Sequence, residues 1–321
     1  MLTAMAADGP DYQHSGRYRR QSWYGTKPLV KRLLAQPGIH TLMRAAAALL
    51  GDRIHRERLP APARLREVKA DMSGVTFGML RPDRCIVAKE LYWGGGRRPR
   101  LEDQFALDLF AVLVREARLV LDIGAYTGVF SLLAACVSPE ARIHAFEVVP
   151  DVAHAAQENV AANDLTGRIT VHGAAVGKEG DTVTIGAGTG GSALPDFYST
   201  KLHFTDGVPV AVRSLDAIVA EVNVPPPAVV KIDVEGTEDV VLEHAQSFLA
   251  SHRPDILCEI LLESNTTGVQ AALAPHGYRF YRVERGALSP QPHLVPSGEF
   301  RDWLFTIKES GELTSRGIPV A

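Results

Sequence analysis

The chain has 321 residues, is 46% hydrophobic and 22% charged, and carries a formal net charge of −3 at pH 7. This composition excludes a disordered or fibrous protein, and no apolar run approaches the length of a membrane span. The three cysteines, Cys85, Cys136 and Cys258, are too widely spaced for a zinc motif and predict buried, reduced thiols. Residues 1–10 lack the apolar core of a signal peptide, so we expect a cytoplasmic location.

Residues 1–65 are predicted to form a basic, mostly helical extension, with a helix over 28–50 that is interrupted near Pro37. Between Arg17 and Arg58 the basic residues far outnumber the acids. A solvated face or a subunit contact explains this charge, and an anionic substrate or carrier is the alternative. No aromatic platform accompanies the charge, so we do not expect nucleic acid to bind. The extension is the candidate surface for a homo-oligomer.

Residues 66–100 are predicted as a small β element and a glycine-rich joint. Alternating apolar residues, among them Ile86 and Val87, predict strands over 66–92. Three glycines at 94–96, followed by two arginines, predict a flexible basic joint. An amphipathic helix over 101–115 opens the main domain. We predict that this domain runs from 101 to 310 and that a short tail, 311–321, follows it.

From Arg118 onward, strands and helices alternate as in an α/β protein whose parallel sheet is covered by helices on both faces. Parallel strands are predicted at 119–123, 142–147, 169–176, 228–234 and 255–260, and further strands at 278–283 and 303–308. Helices are predicted at 129–137, 151–163, 237–249 and 267–275. Segments 181–185 and 208–213 are predicted to pair antiparallel around a loop, 186–207. This loop carries Phe197, Tyr198, His203 and Phe204 and is predicted to be a lid over the substrate, with a mobile hairpin tip as the alternative.

A glycine turn follows the first parallel strand. Asp122 lies near the end of that strand, Gly124 and Gly128 follow it, and a helix begins at Val129. Glycines allow a ligand to approach the backbone, and the start of the helix offers free N–H groups. The middle glycine of the dinucleotide-binding fingerprint is missing, which disfavours a pyrophosphate ligand. An ordinary strand–helix turn with a fortuitous acid is the alternative.

Acidic residues end four of the predicted parallel strands: Asp122, Glu147, Asp233 and Glu259. Ligands of open α/β sheets bind beyond these carboxyl ends, where a carboxylate such as Glu147 can accept both ribose hydroxyls of a nucleoside. Strand periodicity places Lys231 on the same side of its strand as Asp233. Because a buried lysine is costly unless it is paired, a structural lysine–carboxylate pair is the alternative to a functional role.

Several motifs occur together in this chain. They read Asp122-Ile-Gly124-Ala125 with Gly128 and Ser131, Ala145-Phe146-Glu147 with Pro150, Asn159 with Asn163, Lys231-Ile-Asp233-Val-Glu235-Gly236 with Glu238, and Pro254-Asp255 with Glu259. Over residues 101–308 this set resembles the FkbM family of S-adenosylmethionine (SAM)-dependent methyltransferases. The resemblance implies a Rossmann-like class I methyltransferase sheet of seven strands, the last one antiparallel, with SAM as cofactor. It also implies O-methylation of small-molecule acceptors such as sugars, macrolides and other secondary metabolites.

The resemblance places the cofactor at the glycine turn and the strand ends beside it. The implied cofactor-binding residues are Asp122, Gly124, Ala125, Tyr126, Thr127, Gly128, Ser131, Glu147, Val148, Ala174, Ala175 and Asp233. The family usually has Asn where this chain has Tyr126, so a polar contact in the turn is replaced or moved. No acid occurs at 173–176, so we expect backbone groups and apolar contacts to hold the adenine. The implied catalytic residues are Lys231, Asp233, Glu235 and Glu259.

We expect Asp233 or Glu259 to remove the acceptor's proton. Glu235 is expected to shape the acceptor site, and Lys231 to set the ionisation of these acids. A divalent metal held by Asp233, Glu235 and Glu259 is the alternative, and carboxyl- or N-methylation on the same scaffold stays open. Two other classes are an NAD-linked oxidoreductase, which titration with S-adenosylhomocysteine (SAH) against NAD would distinguish, and a non-catalytic nucleotide-binding module. The presence of all four strand-end acids disfavours the second of these.

Overall fold

The computed structural model describes residues 33–50, 59–186 and 207–321. The chain divides into two compact units between Arg64 and Leu65, one residue before the predicted end of the extension. In the first unit, helix α1 spans Pro37–Leu50. Most of the predicted basic segment, the first part of the predicted 28–50 helix and the four predicted lid residues lie outside the described residues. Among the described helices, none is both long and apolar enough to cross a membrane.

The second unit begins with a β-hairpin and a short helix. Strands β1 (Glu67–Met72) and β2 (Val75–Leu80) pair antiparallel, and helix α2 spans Ile86–Trp93. The prediction that Ile86 and Val87 lie in a strand is therefore wrong. The Cys85 thiol caps the helix by accepting the backbone N–H of Ala88, and the buried side chains of α2 recur at helical rather than strand spacing.

Within the described ranges, the central sheet has eight strands. In chain order they are β3 (Leu119–Ile123), β4 (Arg142–Phe146), β5 (Ile169–His172), β9 (Ala228–Ile232), β10 (Asp255–Glu259), β11 (Arg279–Val283), β12 (Leu288–Gln291) and β13 (Asp302–Thr306). Their order across the sheet is β12-β11-β13-β10-β9-β3-β4-β5. Strands β5, β4, β3, β9 and β10 are parallel, whereas β13 is antiparallel to both β10 and β11. The predicted α/β sheet with a reversed last strand is confirmed. The unpredicted eighth strand, β12, is short and contains Pro290, as an edge strand can.

A smaller sheet is formed by residues that lie between β5 and β9 in the sequence. It contains β6 (Ala175–Val176), β7 (Thr182–Gly186) and β8 (Gly207–Arg213), with β7 and β8 antiparallel as predicted. The predicted strand over 169–176 is wrong as a single element. Its first half joins the central sheet as β5, and its second half pairs with β8 as β6.

Helices cover both faces of the central sheet, as the apolar pattern of its buried strands predicts. The helices that pack against one face are α3 (Leu101–Leu113), α4 (Val129–Val137) and α5 (Pro150–Ala162). Those that pack against the other face are α6 (Leu215–Val222), α7 (Glu238–Glu243), α8 (Gln246–His252) and α9 (Thr266–Leu273). The helix predicted over 237–249 is in fact two helices separated by His244 and the buried Ala245. Helix α10 (Ser310–Ser315) lies in the predicted tail, and Val320 bridges to Leu288 of β12.

Candidate functional site

The carboxyl edge of the central sheet brings the predicted acids side by side. In the parallel register, Asp122 of β3 lies beside Lys231 of β9. Because Ile232 lies beside Cys258, the next residues of those two strands, Asp233 and Glu259, reach the same edge. Glu147 directly follows β4, whose last residue, Phe146, pairs with the last residue of β3. The strand ends therefore form one row of carboxylates, as the sequence predicts.

The glycine turn is held by close contacts with both neighbouring strands. Gly124 has φ +76°, and a Cβ at this position would lie 1.8 Å from the backbone oxygen of Asp233, so only glycine fits there. The backbone N–H groups of Gly124 and Ala125 donate to the Phe146 oxygen at 2.9 and 3.0 Å. Tyr126 has φ +50°, which is unusual for a residue with a side chain. The neighbouring strands therefore impose the shape of this turn.

Asp122 lies beneath the turn and is almost completely buried. Its Oδ2 accepts the backbone N–H of Ser131 at 3.0 Å and the Ser131 hydroxyl at 2.6 Å. Burial raises the pKa of Asp122 to about 6, against the lowering effect of Ser131 and Lys231. Within the part of the chain that the structure describes, Oδ1 is buried and has no hydrogen-bond partner. Because an unsatisfied buried acceptor is costly, Asp122 fits the ammonium group of the implied cofactor.

Glu147 lies at the other end of the turn and is also buried. Its Oε2 accepts the backbone N–H of Tyr126 at 2.9 Å, and its Oε1 accepts that of Val149 at 2.8 Å. A carboxylate oxygen can accept more than one hydrogen bond, so these contacts leave capacity for ribose hydroxyls. That role stays a prediction. The other predicted cofactor residues lie near this end: Val148 and Ala174 are half-buried, and Ala175 is buried.

Glu147 makes a testable contribution to the pH dependence of stability. Burial raises its pKa from 4.5 to about 7, so the folded chain binds the proton more tightly than the unfolded chain. We therefore expect the free energy of unfolding to fall by up to about 3 kcal/mol as the pH rises from about 4.5 to about 7. Urea titrations of the wild type and Glu147→Gln across this range measure the effect. The variant should lose this part of the slope but keep the smaller contribution of Asp122; identical slopes would contradict the prediction.

Lys231 is 2% exposed and lies between two carboxylates. Its Nζ is 3.2 Å from Asp302 Oδ1 and 3.6 Å from Asp233 Oδ2, and it lies 5.3 Å from the centroid of the Phe130 ring. Burial alone would lower the pKa of Lys231, but the carboxylates of Asp302 and Asp233 outweigh burial and raise it. The ammonium is therefore charged and fixed in place.

Asp302 is a partner of Lys231 that was not predicted from the sequence. Asp302 begins β13 and pairs in register with Glu259. A signal was present, because an antiparallel strand brings its first residue to the edge where its parallel neighbours end. The sequence predicted that final strand from Trp303, with Asp302 immediately before it.

The three predicted catalytic acids converge at this edge. One carboxylate oxygen from each of Asp233, Glu235 and Glu259 lies within 4.8 Å of the others. Burial, followed by the Asp233 carboxylate, raises the pKa of Glu259 well above its usual value. Arg301 contacts Glu259 at 3.0 Å. The Asp233 side chain is 37% exposed and that of Glu259 is 10% exposed, so Asp233 is the more accessible acceptor for a proton.

Glu238 has a structural role at the same edge. Its side chain is fully buried and accepts the backbone N–H of Gly236 at 2.7 Å and the Ser264 hydroxyl at 2.9 Å. Ser264 in turn accepts the backbone N–H of Leu261 at 3.0 Å. Glu238 thereby ties the turn after β9 to the turn after β10 and keeps Asp233 beside Glu259.

Comparison with known proteins links this site to one family. The family model described as "Methyltransferase FkbM domain" matches residues 122–283, which contain the glycine turn, Glu147 and the three converging acids. No match to a curated protein was found.

Solved structures of methyltransferases are similar to this chain at low identity. Precorrin-6y C5,15-methyltransferase from Geobacter metallireducens GS-15 is 15% identical, with 64% of this chain and 88% of that chain covered and a TM-score of 0.37. An O-methyltransferase from Bacillus cereus in complex with SAH is 15% identical, with coverages of 64% and 81% and a TM-score of 0.37. Sp1610 from Streptococcus pneumoniae, a putative tRNA (m1A22) methyltransferase, is 19% identical, with coverages of 67% and 79% and a TM-score of 0.36.

Proposed function

Since the chain belongs to the FkbM family of SAM-dependent methyltransferases, we propose that it methylates a hydroxyl oxygen of a small-molecule acceptor such as a sugar or another secondary metabolite. The observation that carries this proposal is the half-buried, accessible Asp233 carboxylate beside the buried Glu259 and Lys231. A hydroxyl is a weak nucleophile until its proton is removed, and a positioned carboxylate can remove it. Family membership sets aside the NAD-linked oxidoreductase and the non-catalytic module.

Each side of the site has a separate task in the proposed reaction. When bound, SAM supplies a methyl group that is already electrophilic. Asp122 and Glu147 would hold the ammonium and ribose groups of SAM. The glycine turn would allow SAM to approach the protein backbone. Asp233 would accept the acceptor's proton as the bond between the acceptor oxygen and the methyl carbon forms, while the bond between that carbon and sulfur breaks and SAH leaves. Alignment of the two reactants contributes at most about 7–11 kcal/mol, and a base at Asp233 adds about 10²–10⁴-fold in rate.

The charges around Asp233 support its role as the base. The Lys231 ammonium lies 3.6 Å from an Asp233 carboxylate oxygen, and a Glu259 oxygen lies within 4.8 Å of the same carboxylate. Glu235 lies in the turn that follows and faces the same cluster, where it can shape the acceptor site. Asp233 therefore combines a defined position between charged neighbours with access to the acceptor.

The nature of the acceptor follows from the same charges. A carboxylate acceptor would bring a further negative charge to Asp233, Glu235 and Glu259, which disfavours carboxyl methylation. An amine is the second candidate, because these acids would attract its ammonium form. A hydroxyl is favoured over an amine because the site provides a base, which a hydroxyl requires and a neutral amine does not.

Mass spectrometry with isotopically labelled SAM tests the proposed function. The chain is incubated with a small-molecule cell extract and SAM that carries a deuterated methyl group, and labelled products are fragmented to locate the methyl group. We expect a product with the label on oxygen. A label on nitrogen would replace O-methylation with the amine alternative, and no labelled product from any extract fraction would contradict methyl transfer to small molecules.

We expect methyl transfer to proceed without a divalent metal. Lys231 and Arg301 already place positive charge 3.6 Å from Asp233 and 3.0 Å from Glu259, where a metal ion would otherwise neutralise these acids. The rate of label transfer should therefore be the same before and after EDTA treatment. If EDTA abolishes transfer and Mg²⁺ restores it, the cluster of Asp233, Glu235 and Glu259 is a metal site and the metal-free mechanism is wrong.

A further inference from the structure

Asn159 of α5 and Asn163, the residue that directly follows α5, bind the hairpin that precedes the α/β domain. Asn163 Oδ1 accepts the backbone N–H of Gly78 at 2.7 Å, and its Nδ2 donates to the Gly78 oxygen at 2.8 Å. One turn of helix earlier, Asn159 Oδ1 accepts the backbone N–H of Leu80 at 2.8 Å. The two side chains therefore take the place of a neighbouring strand along β2.

Asn159 differs from Asn163 in what its amide nitrogen contacts. The Nδ2 of Asn159 donates to the backbone oxygen of Thr127 at 2.8 Å, and Thr127 belongs to the glycine turn. Asn159 is only 2% exposed and Thr127 only 1%, so water is excluded from this hydrogen bond. The Nδ2 of Asn163 does not contact the turn in this way. It donates to the backbone oxygen of Asn159 at 2.7 Å and to that of Gly78.

The N-terminal end of α2 makes two further contacts with the same turn. The Cys85 thiol and the Thr127 hydroxyl lie 3.1 Å apart, and the Ile86 backbone N–H donates to the Tyr126 hydroxyl at 3.4 Å. Tyr126 has a left-handed backbone conformation, with φ +50°, which persists only where the surroundings hold it. Residues outside the matched family region, 122–283, thus help to fix the turn.

We propose that Asn159 is a positioning residue for the cofactor: it links β2 to the glycine turn and holds that turn in the conformation that binds SAM. The proposal rests on the cofactor placement described above. Without the Asn159 amide, the buried backbone oxygen of Thr127 loses this hydrogen bond, and the turn can relax away from the shape imposed by Gly124 and Glu147. Such relaxation lowers the affinity for a ligand that needs the preformed turn.

The experiment compares Asn159→Asp with the matched variant Asn163→Asp by calorimetric titration with SAH. Each substitution keeps the side-chain shape and the acceptor for β2, but it removes one amide donor. Only Asn159→Asp removes the donor to the turn. We expect the Kd for SAH to rise about tenfold or more in Asn159→Asp and to stay within about twofold of wild type in Asn163→Asp. Urea unfolding of both variants confirms that they are folded.

Equal SAH affinities of the two variants would overturn the proposal, because both would then act only through general stability. If Asn159→Asp is unfolded, Cys85→Ala provides the test, since it removes another contact of Thr127 without adding a charge. We expect this variant to bind SAH about threefold more weakly, and wild-type affinity would overturn the proposal. A wild-type chain that binds no SAH would instead overturn the cofactor placement, and this proposal with it.

Discussion

Replacing Asp233 with asparagine is expected to slow methyl transfer by about 10²–10⁴-fold, because the variant cannot accept the acceptor's proton. The substitution preserves the side-chain shape and its place beside Lys231 and Glu259. Binding of SAH should therefore stay within about fivefold of wild type, since its main contacts are assigned to Asp122 and Glu147. The rate is measured as label incorporated from SAM, and binding by calorimetry.

Asp255→Asn is the matched control for Asp233→Asn. Asp255 is, like Asp233, paired with a lysine, since its Oδ1 lies 2.8 Å from Lys308 Nζ, and unlike Asp233 it is buried. Asp255 is the first residue of β10, however, and so it lies at the amino end of the parallel strands, whereas the proposed site lies at their carboxyl ends. The control should lower stability and leave the rate of the folded enzyme unchanged. A rate for Asp233→Asn within about threefold of wild type would show that Asp233 is not the base.

Replacing Lys231 with methionine is expected to lower the free energy of unfolding by about 3–5 kcal/mol. The ammonium is 2% exposed and lies within 3.6 Å of both Asp233 and Asp302. Its removal leaves two carboxylates close together with no compensating charge between them. Methionine retains much of the apolar stem that packs near Phe130, so the loss reports on the charge more than on packing. Urea unfolding at neutral pH measures the change.

The double variant Lys231→Met/Asp302→Asn separates the charge effect from packing. Neutralising Asp302 as well removes one of the two uncompensated carboxylates, so the double variant should regain about half of the lost stability. A Lys231→Met variant as stable as wild type would contradict the interpretation of Lys231 as the counter-charge of this edge. A double variant less stable than Lys231→Met would contradict the pairing with Asp302.

The sequence predicted the parts of the site that follow from local pattern. The glycine turn, Glu147 and the Lys231–Asp233 alternation each lie within one strand and its exit, and parallel strands bring such exits to one edge. Asp302 and Asn159 could not be assigned in the same way. The role of Asp302 depends on which strand β13 pairs with, and that of Asn159 depends on which hairpin α5 contacts. Neither contact can be predicted from the residues of one strand or helix alone.

The local pattern also failed where elements are short. Ile86 and Val87 fit a strand as well as a helix. The Cys85 cap and tertiary packing stabilise the helical conformation of α2. The segment over 169–176 reads as one strand, but its second half found a partner in β8 instead. Strand β12 lies at the edge of the sheet, where a proline is tolerated, and composition alone did not reveal it.

A crystal structure of the chain with bound SAH tests most directly whether the row of strand-end acids surrounds the reacting centre. We expect the amino acid nitrogen of SAH beside Asp122 Oδ1, its ribose hydroxyls at Glu147, and its sulfur turned towards Asp233. SAH bound away from the glycine turn, or bound there with its sulfur facing away from Asp233, would contradict both the cofactor assignment and the proposed base.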